Sequence, residues 1–259
     1  MDEHGLRRWP LVCGFLLSIT LLLCTALSGR VQAGALSISP VRVSLASGTT
    51  SALITVQNES PDPVRLQLSL HAWRESPDGL MQLTPTEDLV VFPVLLKLKP
   101  EESRKIRVGL PAPQEAPVEK TYRLFLEELP SSAKLGANEV RVLARIGVPI
   151  FLAPPEPKSG WAPTVSPHGE DGVMLELKNT GNVHLILQEV TVRGIDHDEQ
   201  VVFDQTLTGG YLLADSVRNH TIKVTSADRA KLTACVVQIV TAAGPQEERV
   251  NCPSSPVNP

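Results

Sequence analysis

The residues best placed to do chemistry in this chain form a ladder of apolar side chains rather than a set of acids and bases. Val140, Val142, Ala144, Ile146, Val148 and Ile150 fall at every second position, and in an extended strand of period two they project from one face. Arg141 and Arg145 flank Leu143 on the opposite face. Such a strand can complete its own domain's core, which is the commoner use. An edge strand of this kind can also be lent to another protein's sheet, where backbone hydrogen bonds give affinity and alternate side chains give fit. Either way, the chemistry on offer is recognition. Signs of catalysis are missing: no nucleophile elbow, zinc motif or phosphate loop occurs, so the reading is not an enzyme and neither a cofactor nor a metal is expected. His184, His197 and His220 lack ligand spacing, and Asp196-His197-Asp198-Glu199 reads as a solvated hairpin turn. Asn58-Glu59-Ser60 and Asn219-His220-Thr221 fit the glycosylation acceptor pattern but read as turns.

Compartment decides what the cysteines can do. Residues 1–33 read as a secretory signal peptide, with Arg7 and Arg8 at the start, an apolar run from Leu11 to Leu27, and the small-residue site Val31-Gln32-Ala33. A membrane anchor is the competing reading of that run. Cys13 and Cys24 leave with the signal, so the exported chain keeps Cys235 and Cys252. In an oxidising compartment an isolated pair is most simply one disulfide. Two Cys without a nearby His fall short of a closed metal set.

The elements that must position the ladder are strands. The mature length suits two domains, 22 Pro and 17 Gly punctuate the chain, and long helical periodicity is absent. A formal net charge of −4 without a basic tract argues against nucleic acid as a partner. Strands are predicted at Ala35–Leu45, Ser51–Asn58, Val64–Trp73, Leu89–Leu98, Ser103–Leu110, Lys120–Leu129 and Asn138–Leu152, a set that makes one sandwich over residues 34–153. The Pro-rich stretch 154–160 reads as a linker. A second, smaller domain over 161–259 carries strands at Gly172–Lys178, His184–Arg193, Gln200–Thr206, Ser216–Val224, Ala234–Thr241 and Glu247–Cys252. The halves rhyme: Ile54-Thr55-Val56-Gln57-Asn58 resembles Leu175-Glu176-Leu177-Lys178-Asn179, each an alternating strand ending in Asn. The fold class is all-β, with two immunoglobulin-like β-sandwich domains.

Four stretches then point to a family. Ser37-Ile38-Ser39-Pro40-Val41-Arg42-Val43, Phe92-Pro93 to Lys97-Leu98-Lys99-Pro100, Tyr122-Arg123-Leu124-Phe125-Leu126-Glu127-Glu128-Leu129-Pro130, and the ladder ending Pro149-Ile150-Phe151 together resemble the PapD-like periplasmic chaperones of pilus assembly. The resemblance covers essentially the whole mature chain in the same order. It implies a boomerang of two immunoglobulin-like domains in the periplasm that holds pilin or fimbrial subunits by donor-strand complementation and delivers them to an outer-membrane usher. By position, Val140, Val142 and Ala144 match the family's donor residues, with Ile146 an extension.

The same resemblance implies a grip on the subunit's terminal carboxylate by two basic residues in the cleft between domains. Arg42 aligns with the first, and a guanidinium fork suits a carboxylate; by spacing alone it would be a solvated edge charge. At the second position, usually Lys, this chain has Pro149. Either Arg145 takes over, helped by a bulge at Gly147, or the second anchor is missing. Two other functions stay open: a structural or adhesive immunoglobulin-like exported protein, and a PapD-like protein without a pilus role. An exposed donor edge would also be relieved by capping with a second copy.

Overall fold

Pairing in this chain is dictated by where apolar alternation meets a partner strand, and two prolines decide where the chain changes sheet. The computed structural model describes residues 36–130 and 142–252; the predicted signal segment, Arg141 and Val140 lie outside them. The first sandwich contains β1 (Leu36–Ser39), β2 (Val43–Leu45), β3 (Ser51–Asn58), β4 (Val64–Glu75), β5 (Met81–Pro85), β6 (Val90–Phe92), β7 (Leu95–Leu98), β8 (Ser103–Gly109), β9 (Lys120–Glu128) and β10 (Arg145–Leu152). One sheet runs β1-β3-β8-β6, and the other β2-β10-β9-β4-β5 with β7 also on β4. Alternate residues of the two sheets meet in one core, among them Ile54, Val56, Leu66, Leu68, Ile106, Val108, Leu124, Leu126, Val148, Ile150 and Leu152.

Two stretches expected as single strands are each divided. The stretch from Ala35 to Leu45 splits into β1 and β2 around Pro40, and Leu89–Leu98 splits into β6 and β7 around Pro93, with the halves in different sheets. A proline has no N–H for a ladder and restricts the residue before it. The chain therefore leaves one sheet there and enters the other. Strand β5, short and mostly exposed, pairs with the end of β4.

The second sandwich contains β11 (Trp161–Pro167), β12 (Gly172–Asn179), β13 (Leu185–Ile195), β14 (Val201–Leu212), β15 (Val217–Lys223), β16 (Ala234–Thr241) and β17 (Gly244–Asn251), with one helical turn, α1 (Ser226–Arg229), capped by Thr225. Its sheets run β11-β12-β15 and β14-β13-β16-β17, over a core including Leu175, Leu177, Leu187, Val190, Val192, Ile222, Val237 and Ile239. Strand β11 was not foreseen: two prolines, Pro163 and Pro167, weaken its strand signal, and it survives as the edge of a three-stranded sheet. Cys235 and Cys252 are bonded to each other with Cα atoms 5.6 Å apart, and both are buried in this core. No helix among the described residues is long and apolar enough to cross a membrane.

The internal rhyme corresponds to a repeated structural device. Asn58 and Asn179 close β3 and β12 with side chains 0% and 1% exposed. Each amide Nδ2 donates to the carbonyl four residues ahead, Asp62 at 2.7 Å and Val183 at 2.8 Å. Each also donates to a distant carbonyl, Lys99 at 3.1 Å and Leu212 at 3.0 Å. Each Oδ1 accepts from the backbone N–H two residues ahead, Ser60 and Gly181. Asn is favoured because one short amide can both donate and accept, satisfying buried turn groups that would otherwise be orphaned.

Candidate functional site: an open strand edge and the cleft beside it

Strand β10 serves two faces and changes surroundings along its length. Val148, Ile150 and Leu152 complete the first core, so the downstream half of the ladder closes its own domain. Upstream the alternation runs out of core: Ile146 and Ala144 are half-buried, and Val142 is 86% exposed. Among the described residues β10 begins at Arg145, with Val142 to Ala144 outside it, and the expected strand residues 138–141 lie outside the described residues. Strand β9 ends at Glu128, and the Leu129 N–H, donating to the Arg65 carbonyl at 2.8 Å, carries the β4 side of the ladder one residue further. Val142 and Leu143 lie outside the β9–β10 pairing, whose first pair is Arg145 with Glu127. Ala144 is the last attached residue, its carbonyl accepting from Glu128 N–H at 2.8 Å and its N–H donating to the Glu128 carboxylate at 3.2 Å.

That bond fixes the phase of the strand. In an antiparallel pair, residues alternate between exchanging bonds with the partner and facing away. With Ala144 bonded to Glu128, residues 146, 148 and 150 address β9, while Arg145, Gly147 and Pro149 direct backbone groups to the other side. There β2 pairs in parallel only with Ile150, Phe151 and Leu152, and Ala153 N–H continues onto the Leu45 carbonyl at 2.9 Å. From Arg145 to Pro149 that side carries no strand among the described residues. The result is an open edge several residues long, with an exposed apolar side chain just upstream. Pro149, lacking an N–H, removes one donor from it.

The predicted cations fall in different places. Arg42 is exposed and immediately precedes β2; one step back from the Val43–Ile150 pairing, it flanks Pro149. Arg145 pairs with Glu127 across the β9–β10 ladder at 2.6 Å, and its guanidinium lies 4.2 Å from the Phe125 ring centre. The β9–β10 register passes through Gly147 without a shift, so no bulge carries Arg145 towards Pro149.

Sequence reasoning missed Arg123. It stands on β9 directly opposite Pro149, with its guanidinium 4.1 Å from the Trp73 ring centre and 5.9 Å from that of Tyr211. Its Nη1 donates to the Gly147 carbonyl at 3.3 Å, and its buried Nε has no acceptor among the described residues. Burial lowers its pKa from the ordinary arginine value, opposed by Tyr211 and Glu75. Only the register could have pointed to it, because Arg123 and Pro149 are far apart in sequence.

The cleft floor is where the sandwiches touch. Trp73 and Phe151 from the first meet Leu213 and Tyr211 from the second in a separate apolar cluster. The His184 ring stacks on Phe151 at 3.7 Å, while the buried Glu119 carboxylate accepts from His184 N–H at 2.8 Å and contacts its Nδ1 at 2.7 Å. Arg218 pairs with Glu75 at 3.1 Å, both nearly buried. A cavity of about 870 Å³ opens beside Trp73, Tyr122 and Leu213, but Glu75, Asp88, Glu119 and Asp215 on its walls outnumber Arg74 and Lys120. Its charge balance is wrong for an anion, so the volume does not mark the cationic site.

Residues 35–158 match the family described as pili and flagellar-assembly chaperone, PapD N-terminal domain. Among curated proteins no sequence match was found. The fold resembles a chain of the CsuC–CsuE chaperone–tip adhesion subunit pre-assembly complex of archaic Csu pili from Acinetobacter baumannii, at 17% identity and a TM-score of 0.58, covering 83% of this chain and 97% of that one. It is similar also to the E. coli chaperone DraB, at 17% identity and TM-score 0.54 over 86% and 98% of the two chains. The CupB2 chaperone of Pseudomonas aeruginosa gives 16% identity and TM-score 0.51 over 84% and 100%. At these identities the likeness establishes the two-sandwich fold.

Proposed function

We propose, from the match of residues 35–158 to the pili and flagellar-assembly chaperone, PapD N-terminal domain, family, that this protein is a periplasmic chaperone that captures pilin-type subunits by lending them β10. The family is one of chaperones, not enzymes. The observation that carries the reading is the open edge of β10 between Arg145 and Pro149, continuing the apolar alternation that closes its own core. A subunit whose sandwich lacks a strand exposes unpaired backbone groups and core side chains, both costly and prone to aggregation. Docking on this edge satisfies the backbone, while Val140, Val142, Ala144 and Ile146 fill the subunit's vacant core positions. Arg42 holds the subunit's terminal carboxylate, and the loaded chaperone passes its cargo to an outer-membrane usher. In this reading residues 1–33 are removed on export, 34–153 bind the subunit, 154–160 link, and 161–259 form the second wall of the cleft.

The test is Val142→Asp. Val142 is 86% exposed, so the fold tolerates the change, whereas a captured subunit would have to bury an unpaired carboxylate at a cost of several kcal/mol. Co-expression with a fimbrial subunit from a neighbouring chaperone–usher locus should give co-purification with the wild type and loss of the subunit with the variant, circular dichroism being unchanged. Wild-type yield from a folded Val142→Asp variant would end the strand-donor reading.

A further inference from the structure

We propose that the free edge of β14 is an interaction surface on which two copies of this chain pair, β14 against β14 and antiparallel. The surface belongs to the second sandwich, so the inference does not depend on what β10 captures.

An edge strand offers unpaired backbone groups to any extended chain, and proteins blunt such edges by brevity, proline or charge. The other sheet ends among the described residues carry these guards. Strands β1, β2 and β6 have four residues or fewer, and β5 has five. Strand β11 contains two prolines, β17 a proline and a Glu-Glu-Arg run, and β15 an arginine and a lysine. The open stretch of β10 contains Pro149. Strand β14 is different: it has 12 residues, no proline and a single charge, Asp204. Its ladder to β13 occupies one side from Val201 to Leu212, and no strand lies on its other side among the described residues. A long, regular edge left bare beside guarded ones is a pairing surface.

A second copy suits this edge because the strip is its own complement. Asp204, Thr206 and Thr208 point to solvent, while Phe203 and Leu207 are partly buried against the second core. In a two-fold pair the same patch serves both partners. With the axis at Thr206, this residue meets its own counterpart, Asp204 meets Thr208, and Gln205 meets Leu207. Threonines directly opposite one another share a hydrogen bond, and the Asp204 carboxylate accepts from the Thr208 hydroxyl. On the inner face, Leu207 falls diagonal to the other copy's Phe203 and Leu207, about 7–8 Å away. The half-buried apolar row of one sandwich then continues into the next. The sole charge does not face its own kind, and Arg193 stands across from it on β13. The strand runs from Asp204 to Thr208 without a register shift, so the pairing needs no rearrangement.

The test is sedimentation equilibrium of the mature protein over a concentration series, with two lysine variants at exposed threonines of the same strand. The wild type should pass from monomer to dimer as concentration rises. Thr206→Lys sets two ammonium groups directly opposite each other at the axis and should raise the dimer Kd about 10-fold or more. Thr208→Lys faces the other copy's Asp204 instead, and should leave the Kd unchanged or lower it. Both side chains are exposed, so circular dichroism should match the wild type. A second readout depends on position alone: Thr206→Cys should cross-link the two copies under mild oxidation, since directly opposite Cβ atoms lie about 4.5–5.5 Å apart, and Thr208→Cys should not. A wild type that stays monomeric would overturn the inference. So would a dimer indifferent to Thr206→Lys, equal weakening by both lysines, or cross-linking at Thr208→Cys as ready as at Thr206→Cys.

Discussion

At the scale of single residues, the two asparagines carry more structure than their exposure to view would suggest. Asn58 and Asn179 each donate to two carbonyls and accept from one backbone N–H in a buried turn. Replacement by Ala strands those groups away from water, and each orphan costs about 1–3 kcal/mol. Asn58→Ala and Asn179→Ala should therefore each destabilise by roughly 2–4 kcal/mol in chemical unfolding, far beyond an ordinary surface substitution. Asp is the informative control. It keeps the acceptor but turns a carboxylate oxygen onto the Asp62 and Lys99 carbonyls in a buried site, so Asn58→Asp should destabilise at least as much as Asn58→Ala; recovery of stability would show that the accepted bond alone matters. Ser60, whose hydroxyl donates to Asn58 Oδ1 at 2.7 Å, has no hydroxyl counterpart at Gly181, so the first turn is expected to be the more sensitive.

At the scale of elements, β10 and the β16–β17 hairpin do opposite jobs. Among the described residues strand β10 keeps one edge unpaired over Arg145–Pro149, which is a liability unless something is meant to pair with it. Pro149 limits that liability by withholding a donor, and the Arg145–Glu127 pair places charge beside the edge. The β16–β17 hairpin is instead tied down by the Cys235–Cys252 bond across a sequence separation of 17. In the loop-entropy account a closure of this size contributes about 3 kcal/mol. Cys235→Ala with Cys252→Ala should lower the melting temperature clearly, yet leave subunit capture at the wild-type level once the protein is folded. The two cysteines lie in the second core, whereas the edge proposed to bind subunits belongs to the first sandwich. Loss of capture by the folded double variant would mean that the hairpin contributes to the binding surface.

At the scale of the whole molecule, the sandwiches are joined by contacts that depend on charge as well as on packing. The apolar cluster of Trp73, Phe151 and Leu213 sits beside the Glu75–Arg218 pair, and Asn219 N–H donates to the Pro77 carbonyl at 2.6 Å. Burial raises the Glu75 pKa above its usual 4.5, although Arg218 and a backbone donor oppose the shift. A raised folded-state value means the folded form binds the proton more tightly than the unfolded form. This group's favourable contribution is then fully present below about pH 4.5 and is lost as pH rises through the folded pKa. Glu75→Gln removes the titration while keeping an acceptor for Arg218. Relative to the wild type, the variant should gain stability progressively as pH rises from 4.5 towards neutrality, seen as a difference between two urea-unfolding series. A difference that is flat with pH, or that runs the other way, would show that Arg218 rather than burial sets the state of Glu75.

Local pattern was enough to read the all-β class, the two sandwiches and the cysteine pair, because period-two alternation and oxidising context are properties of neighbouring residues and composition. It also exposed the paired Asn-terminated strands, since a repeated device leaves a repeated string. What local pattern could not supply was pairing. Nothing near Pro40 or Pro93 says that the chain changes sheet there, and β11, with Pro163 and Pro167, reads as a loop until an edge gives it a place. The ladder around Val142 looks continuous in sequence, but among the described residues its strand pairing begins only at Arg145, opposite Glu127. The cations show the difference most clearly. Arg145 was visible because it lies near Pro149 in the chain, and Arg123 was hidden because it lies beside Pro149 only across the sheet. Spacing along a strand is written in the sequence, whereas register between strands is chosen by which cores can close together, and the site is built from register.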